Sequence, residues 1–494
     1  MFGLHQKLAL TVFVTGAAVM VVEVLGSRVL APYFGSSLIT WTSIISVILA
    51  SLSIGYYLGG KMADRRPALE GFAFTSFLAG AFIALIPLLS RLSEILWTAF
   101  GTLWGSLFAS LLFFAVPSAL LGIVSPYAVR LNTERMEEVG SSAGRLYALS
   151  TVGSIVGTLA AGFYLIPNFG VKAILLGTSA VLLLLPVLLL GRRIAPVAIA
   201  ALAVVLAANI ATGGGHEAGN IVLYEADSQY YHVKVVDVPA SSSRFLYLDR
   251  QLASGMNMSD NGLLFAYTKH TVLAYELVKP DSVLFIGMGS GTEAMQLRKN
   301  FPDAKIEVAE LDPLLTGISK EYFGFQEDEK MEVSTGDARN FVRNGKGKYD
   351  IIRIDVFTSQ DSIPFHLTTR EALGEIKARL RDDGLVVTNI ISALEGPGSE
   401  FFRAEYSTYK EEFRNVEVLG IQPEKPETPQ NIVLLASDGD YLNAGAIRKI
   451  GENRPELAAY AGHLVGEEKL AEAGGPVLSD DYAPVESMLA GLQR

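Results

Sequence analysis

The chain has 494 residues, a formal net charge of −11 and no cysteine. This length predicts two or more domains, and the absence of cysteine excludes disulfides, thiolate metal sites and cysteine nucleophiles. The charge is divided unevenly, with 12 Lys and Arg against 7 Asp and Glu up to Thr212 and 28 against 44 beyond it. Because an acidic second half repels phosphate backbones, nucleic acid is not an expected partner.

Residues 1–212 are predicted to form an α-helical membrane bundle of about seven spans. Each apolar segment is close to the length that crosses a bilayer, and the first is too long to be a cleaved signal peptide. The predicted spans are 9–31, 40–60, 69–90, 103–124, 146–167, 171–190 and 194–212. Glycine pairs four residues apart, Gly55 with Gly59 and Gly153 with Gly157, have the spacing that lets helices pack closely in lipid.

Two ionisable residues, Glu23 and Arg28, lie within or at the edge of the first predicted span. A charged group at membrane depth is costly and usually faces the bundle interior or a polar cavity. A structural pair with a neighbouring helix and a path for a polar substrate both remain open. The basic loop at Lys61, Arg65 and Arg66, with similar loops later, favours a soluble part outside the cell membrane.

A linker and a small antiparallel β-unit are predicted at 213–262, where apolar and polar residues alternate from Ile221 to Leu248. An α/β Rossmann-like domain is predicted to occupy 263–494. Its tail, from about residue 439 onward, is expected to contain helix and loop without visible chemistry.

A nucleoside site is predicted in the stretch that begins at Val283. Four apolar residues indicate a buried strand, which runs into Gly287, Gly289 and Gly291 and then into a helix over 292–300. Glycines permit a tight turn and a close approach of the backbone to a ligand. Because the spacing is G-x-G-x-G and not G-x-G-x-x-G, it favours a site for S-adenosylmethionine over a dinucleotide site.

Acidic residues follow the next three predicted strands. Glu310 ends a strand about twenty residues after the loop, where an acid can accept hydrogen bonds from ribose hydroxyls. Asp337, followed by Ala338, comes after another short strand, and Asp355 comes directly after a fourth. Ligands of open α/β sheets bind at the carboxyl ends of strands. At that position Asp355 is suited to take a proton from an attacking amine or to hold the amine as a cation, and a helix-capping role is the alternative.

In succession, these residues resemble the spermidine synthase (polyamine aminopropyltransferase) family, and most closely its branch with an N-terminal multi-span domain. The resemblance implies a class I methyltransferase or spermidine synthase-like fold, no metal, and S-adenosylmethionine or its decarboxylated form as co-substrate. It also implies that Asp355 is the catalytic acid and that Tyr230 and Tyr267 line the substrate cleft beside it. The implied nucleoside site consists of Gly287, Gly289, Ser290, Gly291, Glu310, Asp337 and Ala338.

Four positions depart from the family pattern. Ser290 and Thr358 stand where acids are expected, Ala253 where a glutamine is expected, and Lys269 where a glutamate is expected. Each lost group would contact a polyamine or an aminopropyl amine, and burying two positive charges without carboxylates is costly. Putrescine is therefore not the expected acceptor, and Ser290 favours intact S-adenosylmethionine as donor. Asp361 and His366 are the two candidates to replace the missing contacts.

Four functions follow as alternatives. The first is transfer of an aminopropyl or related alkyl group, with release of methylthioadenosine, to a small-molecule or lipid-borne acceptor. The second and third are a methyltransferase and an S-adenosylmethionine lyase at the membrane, and the fourth is a nucleoside-sensing transporter; the fold alone does not decide between them. Because S-adenosylmethionine is made and kept in the cytosol, a cytoplasmic active site is favoured on this ground, whereas the distribution of Lys and Arg favours the outside. A homo-oligomer is compatible with the resemblance.

Overall fold

The computed structural model describes residues 3–35, 37–133, 136–211, 219–356, 363–489 and 492. The chain divides into two compact units, Met1–His216 with Ala226–Tyr231, and Glu217–Glu225 with His232–Arg494. The predicted boundary between 212 and 213 falls in residues outside the described part. The three domain limits therefore stay a prediction, and the two units are described separately.

The described part of the first unit contains eight α-helices. They are α1 (Leu4–Phe34), α2 (Leu38–Arg65), α3 (Leu69–Leu89), α4 (Ser93–Asn132), α5 (Val139–Ala160), α6 (Ile166–Asn168), α7 (Val171–Leu190) and α8 (Ala195–Ala211). A π-helical turn, Ala161–Leu165, joins α5 to the short α6. Helix α4 bends at Gly101, where the backbone has a φ of 66°, so the span predicted at 103–124 lies after this bend.

Six helical stretches among the described residues are long and apolar enough to cross a membrane, judged by length and composition. The longest, Leu69–Asn132, has 64 residues, whereas one crossing needs about 20. This stretch contains α3 and α4, which pack against each other and correspond to two of the predicted spans. The prediction of about seven spans is confirmed in outline.

Glycines bring two pairs of these helices into close contact, α1 with α5 and α2 with α4. A Cβ atom on Gly55 would overlap the carbonyl oxygen of Ala119, and one on Gly153 would overlap that of Phe13. Small residues permit this approach because no side chain separates the two backbones. The predicted packing role of these glycines is confirmed.

The second unit opens with a four-stranded sheet in the order β1-β2-β3-β4. Its strands are β1 (Ile221–Asp227), β2 (His232–Val238), β3 (Ser243–Leu248) and β4 (Gln251–Asn257). Strands β2, β3 and β4 pair antiparallel, as predicted for the small β-unit, and the sheet extends past Leu248 because β4 completes it.

A seven-stranded sheet forms the centre of the second unit. Its strands are β5 (Ser282–Ile286), β6 (Lys305–Glu310), β7 (Met331–Thr335), β8 (Tyr349–Ile354), β9 (Leu380–Ser392), β10 (Asn415–Gly420) and β11 (Gln430–Ser437). The order is β10-β11-β9-β8-β5-β6-β7, with β5 to β9 parallel and β11 antiparallel to β9 and β10. Strand β5 pairs with β6 on one side and β8 on the other, which makes its carboxyl end the topological switch point where such sheets bind ligands.

Both faces of this sheet are buried under helices. Leu284 and Ile286 of β5 face one hydrophobic core, and Val283 and Phe285 face another, which explains the continuous apolar run in the sequence. The helices are α9 (Ala266–His270), α10 (Val272–Val278), α11 (Thr292–Asn300), α12 (Pro313–Phe323), α13 (Ala338–Asn344), α14 (Arg370–Lys377), α15 (Glu400–Glu412), α16 (Ala444–Asn453), α17 (Ala458–Ala461), α18 (Glu467–Glu472) and α19 (Val485–Leu489). The predicted α/β Rossmann-like fold is confirmed.

Candidate active site

The glycine loop connects β5 to α11 at the switch point. Gly287 has a φ of 88°, a left-handed conformation that favours glycine, and a Cβ atom there would overlap the carbonyl oxygen of Asp355. The Gly287 N–H donates to the carbonyl of Ala309 (2.9 Å), and the Asp355 N–H donates to that of Ile286 (2.9 Å). The loop is thus held against the ends of β6 and β8 by backbone contacts.

The rest of the loop lies beside β4 and includes Gly289, Ser290 and Gly291. The Ser290 side chain is fully buried, and its hydroxyl is 2.6 Å from the hydroxyl of Ser254 and 2.9 Å from that of Thr292. In this arrangement the Ser290 hydroxyl has no surface open to a ligand. Its contact with a donor stays a prediction and requires a shift of the loop or of Ser254.

Glu310, at the end of β6, is oriented by backbone groups of two loops. Its carboxylate accepts from the N–H of Met288 (3.0 Å) and from the N–H of Asp312 (2.8 Å). Burial raises the pKa of Glu310 to about 7, although the same N–H groups act in the opposite direction. Each carboxylate oxygen keeps further lone-pair capacity, so the geometry allows the predicted contact with ribose hydroxyls.

Asp337 precedes α13 and caps it, since its side chain accepts from the backbone N–H of Asn340 (2.8 Å). Its other oxygen lies 3.1 Å from Nε2 of His366. The next residue, Ala338, is the first of α13 and is partly buried. The structure therefore brings His366 to the acid predicted to lie near the adenine; the adenine contact itself stays a prediction.

Asp355 follows β8 and has three side-chain partners. Oδ2 accepts from Nη2 of Arg353 (3.0 Å), Oδ1 accepts from Nδ2 of Asn389 (3.0 Å), and the Tyr267 phenol donates a further hydrogen bond. Burial raises the pKa of Asp355, and the positive charge of Arg353 opposes that rise. With 24% of its side chain exposed, Asp355 is a fixed acceptor that still reaches solvent.

The two predicted tyrosines lie in different units. Tyr267, in α9, joins the Asp355 cluster, and burial raises the pKa of its phenol well above the usual range, with the Asp355 charge adding to the effect. Tyr230 lies in the first unit, where its backbone carbonyl and that of Gln229 accept from the Arg28 guanidinium. The cleft role of Tyr230 stays a prediction, as does a polar path at Glu23.

Of the four departing positions, the structure places Ala253 in β4 and Lys269 in α9. Thr358 and Asp361 lie in 357–362, outside the described residues, so their predicted relation to the site stays open. Within the described ranges, no group of three or more His, Asp or Glu side chains is arranged to hold a metal ion.

Arg353, Glu293 and Asn389 belong to the site but were not predicted. Arg353 pairs with Glu293 as well as with Asp355, and Asn389 accepts from Asn431 Nδ2 (3.1 Å) while it donates to Asp355. One signal for Arg353 was available, because an arginine interrupts the apolar run of β8. Asn389 and Glu293 meet Asp355 and Arg353 only through the sheet order and the packing of α11.

Comparison with known proteins finds a family match within the second unit. Residues 265–408 match the model of the spermine/spermidine synthase domain. A polyamine aminopropyltransferase of Vibrio vulnificus is 32% identical over 200 residues, which is 39% of this chain and 62% of that protein. An eEF1A lysine and N-terminal methyltransferase of Xenopus laevis is 29% identical over 119 residues, 22% of this chain and 17% of that protein.

A longer match extends into the helical unit. Polyamine aminopropyltransferase 2 of Aquifex aeolicus is 24% identical over 426 residues, covering 82% of this chain and 81% of that protein. This alignment is longer than the second unit, so it must include part of the membrane-type helices. The chain thus spans about three fifths of the Vibrio protein and about four fifths of the Aquifex protein. The matched domain at residues 265–408 and this long alignment support a place for the chain in the spermine/spermidine synthase family.

Proposed function

We propose that this chain is a membrane-bound transferase that takes an aminopropyl or related alkyl group from an S-adenosyl sulfonium and releases methylthioadenosine. The observation that carries the proposal is the convergence of the glycine loop, Glu310 and Asp355 at the carboxyl ends of β5, β6 and β8. The relatives named as polyamine aminopropyltransferases support the same reaction class.

The residues at the switch point fit a nucleoside. The backbone cradle at Gly287 has no room for a side chain, and Glu310 is a buried acid whose ionised form gains from added donors, as two ribose hydroxyls would supply. The co-substrate would be S-adenosylmethionine or its decarboxylated form, held by the loop, Glu310 and Asp337. The serine at position 290 supports intact S-adenosylmethionine, since no acid stands there to repel its carboxylate.

The transfer itself needs a nucleophile aligned with the carbon bonded to sulfur. A lone pair of the acceptor forms the new bond to that carbon, the carbon–sulfur bond breaks, and its electron pair neutralises the sulfonium. Asp355 and Tyr267 would hold the acceptor, and the acceptor proton leaves to Asp355 or to water. Positioning is the main contribution of the protein to such a step.

The acceptor we propose is a small molecule or a lipid-borne amine other than putrescine. The helical unit, with six stretches apolar enough to cross a bilayer, supports a place in the cell membrane. Replacement of acids by Ser290 and Thr358, and of a glutamate by Lys269, supports an acceptor with less positive charge than a diamine.

A methyltransferase that releases S-adenosylhomocysteine is the second candidate. The segment shared with the Xenopus methyltransferase favours it, because the same nucleoside site can present the methyl carbon of the sulfonium instead of the propyl carbon. The two reactions differ in which carbon faces Asp355, and therefore in the nucleoside product.

Replacing the acid at the reacting end tests the proposal. We expect Asp355→Asn to lower turnover at least about 100-fold while the affinity for methylthioadenosine, measured by calorimetry, changes little. Asp382→Asn, an exposed acid near the start of β9, is the matched control and should leave both unchanged. Full turnover by Asp355→Asn would contradict the role given to this residue.

A further inference from the structure

Arg353 is an unusual residue for its position. It lies in β8 between Phe285 of β5 and Val387 of β9, and none of its surface is exposed. The neighbouring positions on this face of the sheet, among them Ile351, belong to a hydrophobic core. A buried guanidinium is costly unless it is paired and hydrogen-bonded, so its partners show what it does.

One of those partners is Glu293, at the start of α11. Arg353 donates from Nε to Oε1 (3.0 Å) and from Nη2 to Oε2 (3.3 Å) of Glu293. Glu293 also accepts from the hydroxyls of Thr271 (2.6 Å) and Tyr275 (2.7 Å). Four donors therefore hold this carboxylate, and it stays with Arg353.

The other partner is Asp355, and the three residues form a charge triad. Arg353 donates from Nη2 to Oδ2 of Asp355 (3.0 Å), and its Nη1 is fixed by the carbonyl of Ile354 (2.6 Å). Two carboxylates and one guanidinium give the triad a net charge of about −1. Asp355 is the most exposed member of the triad, with 24% of its side chain exposed against 13% for Glu293 and 1% for Arg353.

We infer that Arg353 sets the specificity for the acceptor. Because Arg353 neutralises one of the two carboxylates, a net charge of about −1 remains beside Asp355. This charge matches a single positive charge and therefore selects a monoamine over a diamine. This inference rests on the proposed function, which places the acceptor at Asp355. Without Arg353 the carboxylates of Asp355 and Glu293 would carry two negative charges and would suit a dication. Arg353 is in this sense a positioning residue, because it acts on the acceptor through Asp355.

The first test uses the unaltered protein. Calorimetry at pH 8 with saturating methylthioadenosine compares 1-aminobutane with 1,4-diaminobutane; the nucleoside carries no sulfonium charge, so the comparison reports the amine site alone. We expect the diamine to bind no more tightly than the monoamine. A diamine preference of tenfold or more, or failure of the monoamine to bind, overturns the inference.

Two variants distinguish an effect of the charge of Arg353 from a purely structural role of this residue. Arg353→Met should shift the ratio of the two dissociation constants at least tenfold toward the diamine, because two carboxylates then remain. Glu293→Gln should weaken 1-aminobutane at least tenfold, because the triad becomes neutral. If Arg353 had only a structural role, Arg353→Met would change the stability of the protein but not the ratio of the two dissociation constants. If Arg353→Met does not fold, the results for Glu293→Gln and for the unaltered protein decide whether the inference holds.

Failure of the inference is distinguishable from failure of the proposed function. If the protein does not bind methylthioadenosine, the proposed nucleoside site is wrong, and the amine ratio is still measured without nucleoside. If it binds methylthioadenosine and yet prefers the diamine, only the inference about Arg353 is wrong.

Discussion

The raised pKa of Glu310 predicts that nucleoside binding depends on pH. With a pKa of about 7 in the ligand-free chain, Glu310 is about nine-tenths ionised at pH 8 and about one-tenth ionised at pH 6. Ribose hydroxyls donate more strongly to a carboxylate than to a carboxylic acid. If the ionised form carries the binding, the affinity for methylthioadenosine should fall roughly tenfold from pH 8 to pH 6.

The perturbation that isolates this effect is Glu310→Gln. The amide keeps the shape of the side chain and one acceptor, but it does not titrate, so the dissociation constant of the variant should stay flat between pH 6 and pH 8. At pH 8 its affinity should be about 10-fold to 100-fold lower than that of the unaltered protein, as expected for loss of a charge-assisted bond. Isothermal calorimetry in one buffer series with constant ionic strength measures both quantities.

The contribution of Glu310 to the stability of the fold depends on pH in the opposite direction to nucleoside binding. The folded pKa of Glu310 is raised above its usual 4.5, so the folded chain binds this proton more tightly than the unfolded chain. Its contribution to stability is therefore fully present below about pH 4.5 and is lost as the pH rises through about 7. A tenfold fall in affinity that persists in Glu310→Gln would refute the reasoning, because the variant has no group at this position that titrates.

Two further predictions concern the packing of the units. Gly55→Leu should destabilise the helical unit by about 2 kcal/mol or more, because a side chain there meets a backbone carbonyl of α4. The control Gly60→Leu, at a position with no neighbouring atom within 4 Å, should have little effect. Thermal unfolding in detergent measures the difference, and equal effects of the two substitutions would contradict the close helix contact. Asp480→Asn should lower the free energy of unfolding by about 1 to 2 kcal/mol, since it weakens the pairing of the nearly buried Arg339 while Asp480 itself is 44% exposed. Chemical denaturation measures this loss, and an unchanged value would show that Glu375 and the carbonyl of His366 satisfy Arg339.

The sequence was sufficient where local physics decides the structure. The apolar run of β5 and the helix over 292–300 were predicted at the positions where they lie, because a buried strand and a glycine turn each have a short-range signature. The strand predicted to end directly before Asp355 is observed as Tyr349–Ile354. Asp355 was identified for the same reason, since it follows directly at the carboxyl end of that strand.

Two elements owe their form to features that lie outside short windows of sequence. The bend in α4 is at Gly101, upstream of the two prolines in this helix, because a left-handed glycine interrupts the helix more sharply there. Strand β9 runs from Leu380 to Ser392, since pairing with β8 at its start and with β11 at its end supports this length.

The polar network of the site is the part that sequence reasoning missed. Arg353 meets Glu293 across 60 positions of sequence, and Asn389 meets Asp355 across 34. Such contacts depend on strand order and on helix packing, neither of which a single sequence displays. The partner of Asp337 was missed in the same way, because His366 reaches it from the loop before α14.

The most direct test of the central claim is mass spectrometry of the nucleoside formed when the full chain, in detergent or lipid, is incubated with S-adenosylmethionine and separately with its decarboxylated form. Each incubation includes 1-aminobutane as acceptor, and Asp355→Asn serves as the control. We expect methylthioadenosine from the unaltered protein and at least about 100-fold less from the variant. S-adenosylhomocysteine as the product would contradict alkyl transfer and establish the methyltransferase alternative, and no nucleoside product from either donor would contradict an enzymatic role for this site.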